Sequence, residues 1–251
     1  MNLNVPDTRQ NLLAERLANG VQIVAPKVAA EFGVSLDTIR RDILALEAAG
    51  KAQRVRGGAV PVAQPADPLH LRLALKNQPN PVLVKAAVEQ IASTPTVLVD
   101  GGTTTLSIIM QLPKLENRLI ITPSPWVAIA CQESGVNVFM IGGSLSVQGG
   151  IATGGVTLAK IAEISADVAL LGACGLDVEF GLSSDDYAES QAKAAMSAAA
   201  DRTIVVTDAP KLGRRARHHT LPLVRIDQIV TDAPLSESDL FRSGEIMITT
   251  V

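Results

Sequence analysis

The chain of 251 residues is long enough to form one large domain or two smaller ones with a buried core. Hydrophobic residues make up 47% of it and aromatic residues only 2%, which argues against an aromatic platform that stacks single-stranded nucleic acid. Lys and Arg number 22 against 25 Asp and Glu, so the net charge is −3 and a wholly basic nucleic-acid coat is disfavoured.

Signals for membranes, secretion and metals are missing from the sequence. No uninterrupted apolar run approaches the roughly 18 residues of a membrane span, and the first residues, MNLNVPDTRQ, lack the layout of a signal peptide. Cys131 and Cys174 form no CxxC pair, which is typical of a reducing compartment. His70, His218 and His219 have no metal-ligand spacing with either cysteine. We therefore expect a cytoplasmic protein that contacts no membrane and needs no metal or cofactor.

Two helical patterns and a sharp turn come first along the chain. Residues 8–19 carry leucines at helical spacing, and Gly20 ends this pattern. Pro26 suits the first turn of a second helix. Gly33 suits the left-handed backbone at a helix C-terminus, and Ser35 is a good N-cap for a third helix.

The third predicted helix has an apolar and a polar face. Ile39, Ile43 and Leu46 recur at i, i+4 and i+7, which gives one apolar stripe. Small polar and basic side chains point away from that stripe or flank it: Asp37, Thr38, Arg40 and Arg41. Such side chains at the front of a helix suit entry into a DNA major groove.

A basic segment follows this helix. Lys51, Arg54 and Arg56 alternate with smaller residues as far as Gly57-Gly58, which predicts a short hairpin, or wing, whose cations lie along phosphates. Charge alone leaves an ordinary solvated helix with scattered arginines as an equally good interpretation.

The motif decides between these interpretations. VSLDTIRRDILALEAAG followed by RVRGGAV resembles the DeoR-type helix-turn-helix signature, in which a V-S-x-x-T-I-R-R-D-L core precedes an R-x-x-G-G-A wing. The resemblance implies a winged helix-turn-helix domain over residues 1–59. The expected DNA-binding residues are Ser35, Asp37, Thr38, Arg40, Arg41, Lys51, Arg54 and Arg56.

Residues 60–81 are predicted to be a linker, because they contain five prolines. A short helix is expected between these prolines, over residues 69–76. The resemblance implies a basic, partly helical linker at the same place.

Residues 82–251 are predicted to form a doubly wound, mostly parallel α/β domain. Short β-branched runs recur at residues 97–99, 119–121, 136–141, 168–171, 204–206, 229–230 and 246–251, and helical stretches separate most of them. Alternation of this kind indicates βαβ units and a sheet covered on both faces.

Ligands of such sheets bind beyond the carboxyl ends of the strands. The first strand leads into Asp100, two glycines and then Thr103, Thr104 and Thr105, whose free N–H groups at a helix start would favour an anion. Lys193 and Lys211 would supply countercharge, and Asp100 and Asp177 could accept hydrogen bonds from sugar hydroxyls. For any one loop, glycine and threonine could equally make ordinary turns.

The motifs DGGTTT, TPS, IGGS, GACGLD and VTDAPKLG resemble the C-terminal sensor domain of DeoR-type regulators, which is similar to ribose-5-phosphate isomerase. The resemblance implies phosphate contacts at Gly102, Thr103, Thr104 and Thr105. It implies further ligand contacts at Ser124, Gly143, Asp177, Lys193 and Lys211. The isomerase's glycine-rich loop and catalytic carboxylate are not evident, and the acids that fill that stretch, Asp185, Asp186 and Glu189, are predicted to be solvated surface.

The leading hypothesis is therefore a DeoR-type transcriptional regulator of carbohydrate metabolism, most simply a repressor. It would bind double-stranded operator DNA as a homo-oligomer, a dimer or tetramer, under control of a sugar-phosphate effector. One alternative is a sugar-phosphate isomerase or hydrolase with an accessory DNA-binding domain, and another is a nonspecific nucleic-acid protein.

Overall fold

The structure is a computed structural model that describes residues 5–18, 21–55, 57–61, 66–75, 78–234, 241 and 246–251. It divides into two compact units, Met1–Gln64 and Pro65–Val251. Most of the expected linker, from residue 65 onward, therefore belongs to the second unit. None of the helices in the described ranges is long and apolar enough to cross a membrane.

The first unit contains three helices and a small antiparallel sheet of strand order β1-β3-β2. The elements are α1 (Pro6–Ala18), β1 (Ile23–Val24), α2 (Ala25–Phe32), α3 (Leu36–Ala48), β2 (Gln53–Val55) and β3 (Gly58–Val60). Leu13 and Leu17 of α1 pack with Ile39 and Ile43 of α3, so the predicted apolar stripe is the core of this unit. The expected helix-turn-helix and hairpin are thus present.

The turn between α2 and α3 forms as the sequence predicts. Gly33 ends α2 with φ of 65°, a backbone conformation that costs glycine little. Ser35 then caps α3, since its Oγ accepts a hydrogen bond from the Thr38 N–H at 3.1 Å. Together they set the direction in which α3 leaves the turn.

A buried ion pair fastens α3 to α1. Arg9 Nε lies 2.7 Å from Asp42 Oδ2, and both side chains are almost fully buried. Arg9 Nη2 and Gln10 Nε2 donate to the other carboxylate oxygen at 3.2 and 3.1 Å. Asp42 belongs to the DNA-binding motif, but here its role is to hold the helices together.

The second unit is built on a seven-stranded, wholly parallel sheet of order β15-β14-β12-β9-β4-β5-β6. Its strands are β4 (Thr96–Val99), β5 (Leu119–Thr122), β6 (Asn137–Met140), β9 (Ala166–Gly172), β12 (Ala200–Thr207), β14 (Gln228–Thr231) and β15 (Met247–Thr250). All seven coincide with the predicted runs, which confirms the α/β fold class.

Helices cover both faces of this sheet. They are α5 (Pro81–Ile91), α6 (Thr103–Met110), α7 (Pro125–Glu133), α8 (Gly155–Ile161) and α9 (Tyr187–Ala198). A further short helix, α4 (Leu69–Ala74), lies beside α6. One buried cluster joins α5, α6 and α7 to side chains such as Val97 and Val99, and the other joins α8 and α9 to Leu98. Successive residues of β4 thus enter opposite layers, as the pleat of a strand requires.

Two small antiparallel sheets were not predicted. Strands β10 (Gly175–Asp177), β11 (Gly181–Ser184) and β13 (His218–Leu221) form one sheet, and β7 (Ser144–Leu145) pairs with β8 (Ala152–Thr153). These strands are only two to four residues long, so the sequence carries little local signal for them and tertiary packing decides their structure.

We predict that Asp42→Ala destabilises the first unit. Removing one partner of a buried pair leaves the Arg9 charge without its main counter-ion, which costs about 3–5 kcal/mol. Hydrogen exchange of α1 and α3 amides in the full chain would measure the loss. The matched control is Glu47→Ala on the same helix, because Glu47 pairs with Arg54 at a half-exposed site; equal losses in the two variants would contradict the prediction.

Candidate functional site

The polar face of α3 is open to solvent. Asp37, Arg40 and Arg41 are exposed, and Thr38 is half-buried beside the capping Ser35. Arg41 pairs with Asp37 at 2.7 Å, one turn away. This pair is highly exposed and contributes little, on the order of 0–1 kcal/mol, so Arg41 can exchange Asp37 for a phosphate at small cost.

The wing adds further cations to the same unit. Lys51 and Arg54 are exposed, and Arg54 Nε lies 3.2 Å from Glu47. Arg56 lies outside the described residues. Arg40 and Lys51 form no ion pair with a described carboxylate, so both are available to an anionic partner.

The second unit has a pocket at the carboxyl ends of β4, β9 and β12. Its lining includes Asp100, Gly102, Thr103, Thr104, Thr105, Lys193 and Lys211, which the sequence had grouped. The lining also includes Arg72, Cys174 and Glu189, which were not among the site residues predicted from the sequence. The glycine-threonine loop and both lysines are therefore brought together.

The start of α6 is the part of the pocket most suited to an anion. Gly102 precedes the helix with φ of 121°, which favours glycine, and no side chain caps this end. The first turn of a helix leaves N–H groups without intrahelical partners. Thr103, Thr104 and Thr105 thus offer main-chain donors at the positive end of the helix.

Lys193 and Asp100 form a buried ion pair at the base of the pocket. Lys193 Nζ lies 3.0 Å from Asp100 Oδ2 and donates to the Gly172 carbonyl at 2.8 Å. Burial by itself would lower the pKa of Lys193, but Asp100, Cys174 and Glu189 raise it above its ordinary value. Lys193 therefore stays charged, and Asp100 already balances that charge.

The cations at the mouth are less buried. Lys211 is half-exposed and lies 3.1 Å from Asp208. Arg72 comes from α4, in the segment expected to be linker, and donates to the main-chain carbonyls of Asp67 and Gln148. The structure shows no ion pair of Arg72 with a described carboxylate. The basic character of the linker was the signal that could have identified Arg72.

The prediction that Asp185, Asp186 and Glu189 are solvated surface is wrong for two of the three. Asp185 and Glu189 are 7% and 4% exposed, whereas Asp186 caps α9 through a hydrogen bond from the Glu189 N–H. The prediction was wrong because α9 starts at Tyr187 and presents Glu189 inward, beside Lys193 one turn later. Burial raises the pKa of Glu189, against the hydrogen bond from Ser146 and the charge of Lys193.

Three expected ligand residues lie outside the pocket lining. Asp177 ends β10 of the antiparallel sheet, accepts from the N–H groups of Glu179 and Phe180 and pairs with Arg215 at 2.8 Å. Gly143 packs against α8, where an added Cβ would lie 2.0 Å from Thr157 Oγ1. Ser124 is fully buried beneath Gly101, and its Oγ has no hydrogen-bond partner among the described residues.

No group of three or more His, Cys, Asp or Glu side chains in the described part of the chain could hold a metal ion. The groups that the pocket presents are main-chain N–H donors at the start of α6, the Lys193–Asp100 ion pair, and the cations Lys211 and Arg72 at the mouth.

Comparison with known proteins identifies the family. A DeoR-like helix-turn-helix domain matches residues 9–64, and a DeoR C terminal sensor domain matches residues 82–233. The chain belongs to the DeoR family. It is a DNA-binding transcriptional regulator, and the alternative of an enzyme finds no support among the named relatives.

Relatives match along nearly the whole chain. The HTH-type transcriptional regulator GlpR of Haloferax volcanii is 30% identical over 92% of this chain and 91% of its own. The glycerol-3-phosphate regulon repressor of Escherichia coli (strain K12) is 28% identical over 90% of each. A solved D-ribose-5-phosphate isomerase, in complex with phospho-erythronic acid, matches 52% of each chain at 17% identity and a TM-score of 0.39.

The two thiols should differ in reactivity. Cys131 is fully buried, and burial raises its pKa to about 11. Cys174 is partly exposed and lines the pocket. Because the thiolate is the reactive form, we expect a disulfide reagent at pH 8 to modify Cys174 alone in the folded protein. Cys174→Ser should abolish the reaction, and fast modification of both thiols in the native chain would show that Cys131 is accessible.

Proposed function

We propose that this DeoR-family regulator binds operator DNA through α3 and the β2–β3 wing and acts as a repressor. The observation that carries this proposal is the exposed polar face of α3, where Arg40 has no ion-pair partner among the described residues and Arg41 has only an exposed one. Side chains at the front of such a helix can reach base edges, while cations of a wing lie along phosphates.

We further propose that the pocket of the second unit binds a phosphorylated sugar or polyol. Three observations support it: the uncapped start of α6, the half-exposed Lys211, and the Arg72 guanidinium at the pocket wall. Asp100 neutralises Lys193, so the charge of the phosphate would be met at α6 and at the mouth. Glycerol 3-phosphate is the natural first probe, because one relative is named a glycerol-3-phosphate regulon repressor.

We propose a symmetric homo-oligomer, a dimer or tetramer, as the DNA-bound form. Helix-turn-helix proteins bind two half-sites through two copies of the recognition helix, and closed symmetric assembly is usual for such proteins. A cytoplasmic location follows from the same function.

Arg40→Ala should weaken binding to operator DNA by about 1–3 kcal/mol, if the lost contact is to a base. Fluorescence anisotropy at fixed salt, on DNA from upstream of the protein's own gene, would measure it. Lys85→Ala is the matched control, since it removes one exposed cation from the second unit. Unchanged affinity in both Arg40→Ala and Arg41→Ala would exclude α3 as the recognition helix.

Lys211→Ala should weaken binding of glycerol 3-phosphate by about 1.5–3 kcal/mol, the usual contribution of a hydrogen bond to a charged group. Isothermal titration of the full chain would measure it. The control is Lys160→Ala, because Lys160 also pairs with a nearby acid, Glu163, but lies on α8 outside the pocket lining. Equal affinity of the wild-type chain and Lys211→Ala would remove Lys211 from the site.

A further inference from the structure

One loop separates the pocket from the segment that follows the DNA-binding unit. This loop comprises residues 146–150, between β7 and β8. On its pocket side, Glu189 Oε1 accepts hydrogen bonds from Ser146 Oγ at 2.5 Å and from the Gly149 N–H at 2.6 Å. A Cβ at Gly149 would lie 2.4 Å from the Glu189 carboxyl group, so the carboxyl group abuts the loop backbone directly.

The other side of the 146–150 loop holds residues 66–72, the start of the second unit. The Leu69 N–H donates to the Gln148 carbonyl at 3.0 Å, and Gln148 Nε2 donates to the Ala66 carbonyl. Leu69 is buried against Gly150, where an added Cβ would lie 2.4 Å from Leu69 Cδ2. Arg72, which lines the pocket, also donates to the Gln148 carbonyl. The loop therefore contacts this segment through Gln148 and Gly150.

A second carboxylate anchors the same segment. Asp185 Oδ2 accepts a hydrogen bond from the Ala66 N–H at 3.1 Å. Asp185 precedes α9, the helix that carries Glu189 and Lys193. Residues 66–72 are thus held directly by Asp185, just before α9, and indirectly by Glu189 of α9 through the 146–150 loop.

The two oxygens of Glu189 are used unequally. Both of its hydrogen bonds within the described structure end on Oε1. The residue lines the pocket, so Oε2 is the acceptor that remains for a ligand. The charge of Lys193 lowers the pKa of this carboxyl group and the charge of Asp100 raises it, and these two groups already form a pair with each other.

We propose that Glu189 couples pocket occupancy to the anchoring of residues 66–72: Oε2 accepts a hydrogen bond from a ligand hydroxyl while Oε1 holds the 146–150 loop. The proposal rests on the proposed sugar- or polyol-phosphate ligand. A ligand shifts such an equilibrium only if it binds one arrangement better than the other. A hydroxyl bound to Oε2 stabilises the position of Glu189 in which Oε1 contacts the 146–150 loop. The ligand therefore strengthens the contacts that hold residues 66–72.

Two substitutions separate the two roles. In Glu189→Gln, Oε1 can still accept from Ser146 and Gly149, but an amide that donates replaces Oε2. In Glu189→Ala, both oxygens are lost. Glu163→Ala is the control, since Glu163 pairs with Lys160 at an exposed site. Thermal unfolding of each variant would confirm that it folds.

The experiment is hydrogen exchange of the full chain over residues 66–75 and 144–153, with no ligand, with inorganic phosphate and with glycerol 3-phosphate. In the wild-type chain, glycerol 3-phosphate should slow exchange of the Leu69 amide about tenfold, and inorganic phosphate should not. Without ligand, Glu189→Gln should exchange like the wild-type chain, and Glu189→Ala about tenfold faster.

Binding of the same two probes completes the test. Loss of the Glu189 charge in Glu189→Gln acts on both probes, whereas loss of the Oε2 acceptor acts only on the one that carries hydroxyls. The ratio of the affinity for glycerol 3-phosphate to the affinity for inorganic phosphate should therefore fall about tenfold in Glu189→Gln, the value of a hydrogen bond to a charged acceptor. An unchanged ratio would overturn the role of Oε2. Unchanged ligand-free exchange in Glu189→Ala would overturn the coupling.

Failure of the proposed function gives a different result. If the wild-type chain binds neither probe, the proposed ligand class is wrong, and the role of Oε2 falls with it. The ligand-free exchange of Glu189→Ala would then still decide whether Glu189 holds residues 66–72 through the loop.

Discussion

The buried pair of Lys193 and Asp100 is the constraint on which the pocket depends. It joins α9 to the end of β4 and, through the Gly172 main chain, to β9. A cation this deeply buried is tolerated only with a partner, and removing either member would leave an uncompensated charge. The pair fixes the rotation of α9 about its axis. It therefore also fixes Glu189, one turn earlier, toward the pocket and the 146–150 loop.

As a result, different parts of the pocket suit the phosphate and the hydroxyl groups of a ligand. Because Lys193 is neutralised at the base, an anion would meet positive charge at the start of α6 and at the mouth. Lys211 pairs there with the partly exposed Asp208, and Arg72 donates only to main-chain carbonyls. A phosphate would bind at that end, and the hydroxyl-bearing part of a ligand would face Glu189. The same division explains why Arg72 matters: it belongs both to the pocket wall and to the segment that follows the DNA-binding unit.

The helix-turn-helix motif likewise contains buried residues that stabilise the unit and exposed residues that are accessible to solvent. Asp42 and Ile39 belong to the recognisable signature, yet both are buried, one in the ion pair with Arg9 and the other in the apolar core. Ser35 is exposed but serves as a cap. The remaining polar side chains of α3 and the wing are the ones that we propose to contact DNA, while the buried members of the motif hold α3 against α1.

The family, both fold classes, all seven strands of the parallel sheet and the helix-turn-helix were predictable from the sequence, because these depend on local periodicity, capping and a contiguous motif. The strand-end argument also placed the Gly102–Thr105 loop near Lys211, since the carboxyl ends of parallel strands meet at one edge, and the family resemblance added Lys193. The pairing of Lys193, the position of Asp177 outside the pocket and the burial of Glu189 within it became visible only in the folded chain. Those outcomes depend on how α9 and the antiparallel strands β10 and β11 pack against the sheet, and a contact between residues far apart in sequence leaves no local pattern.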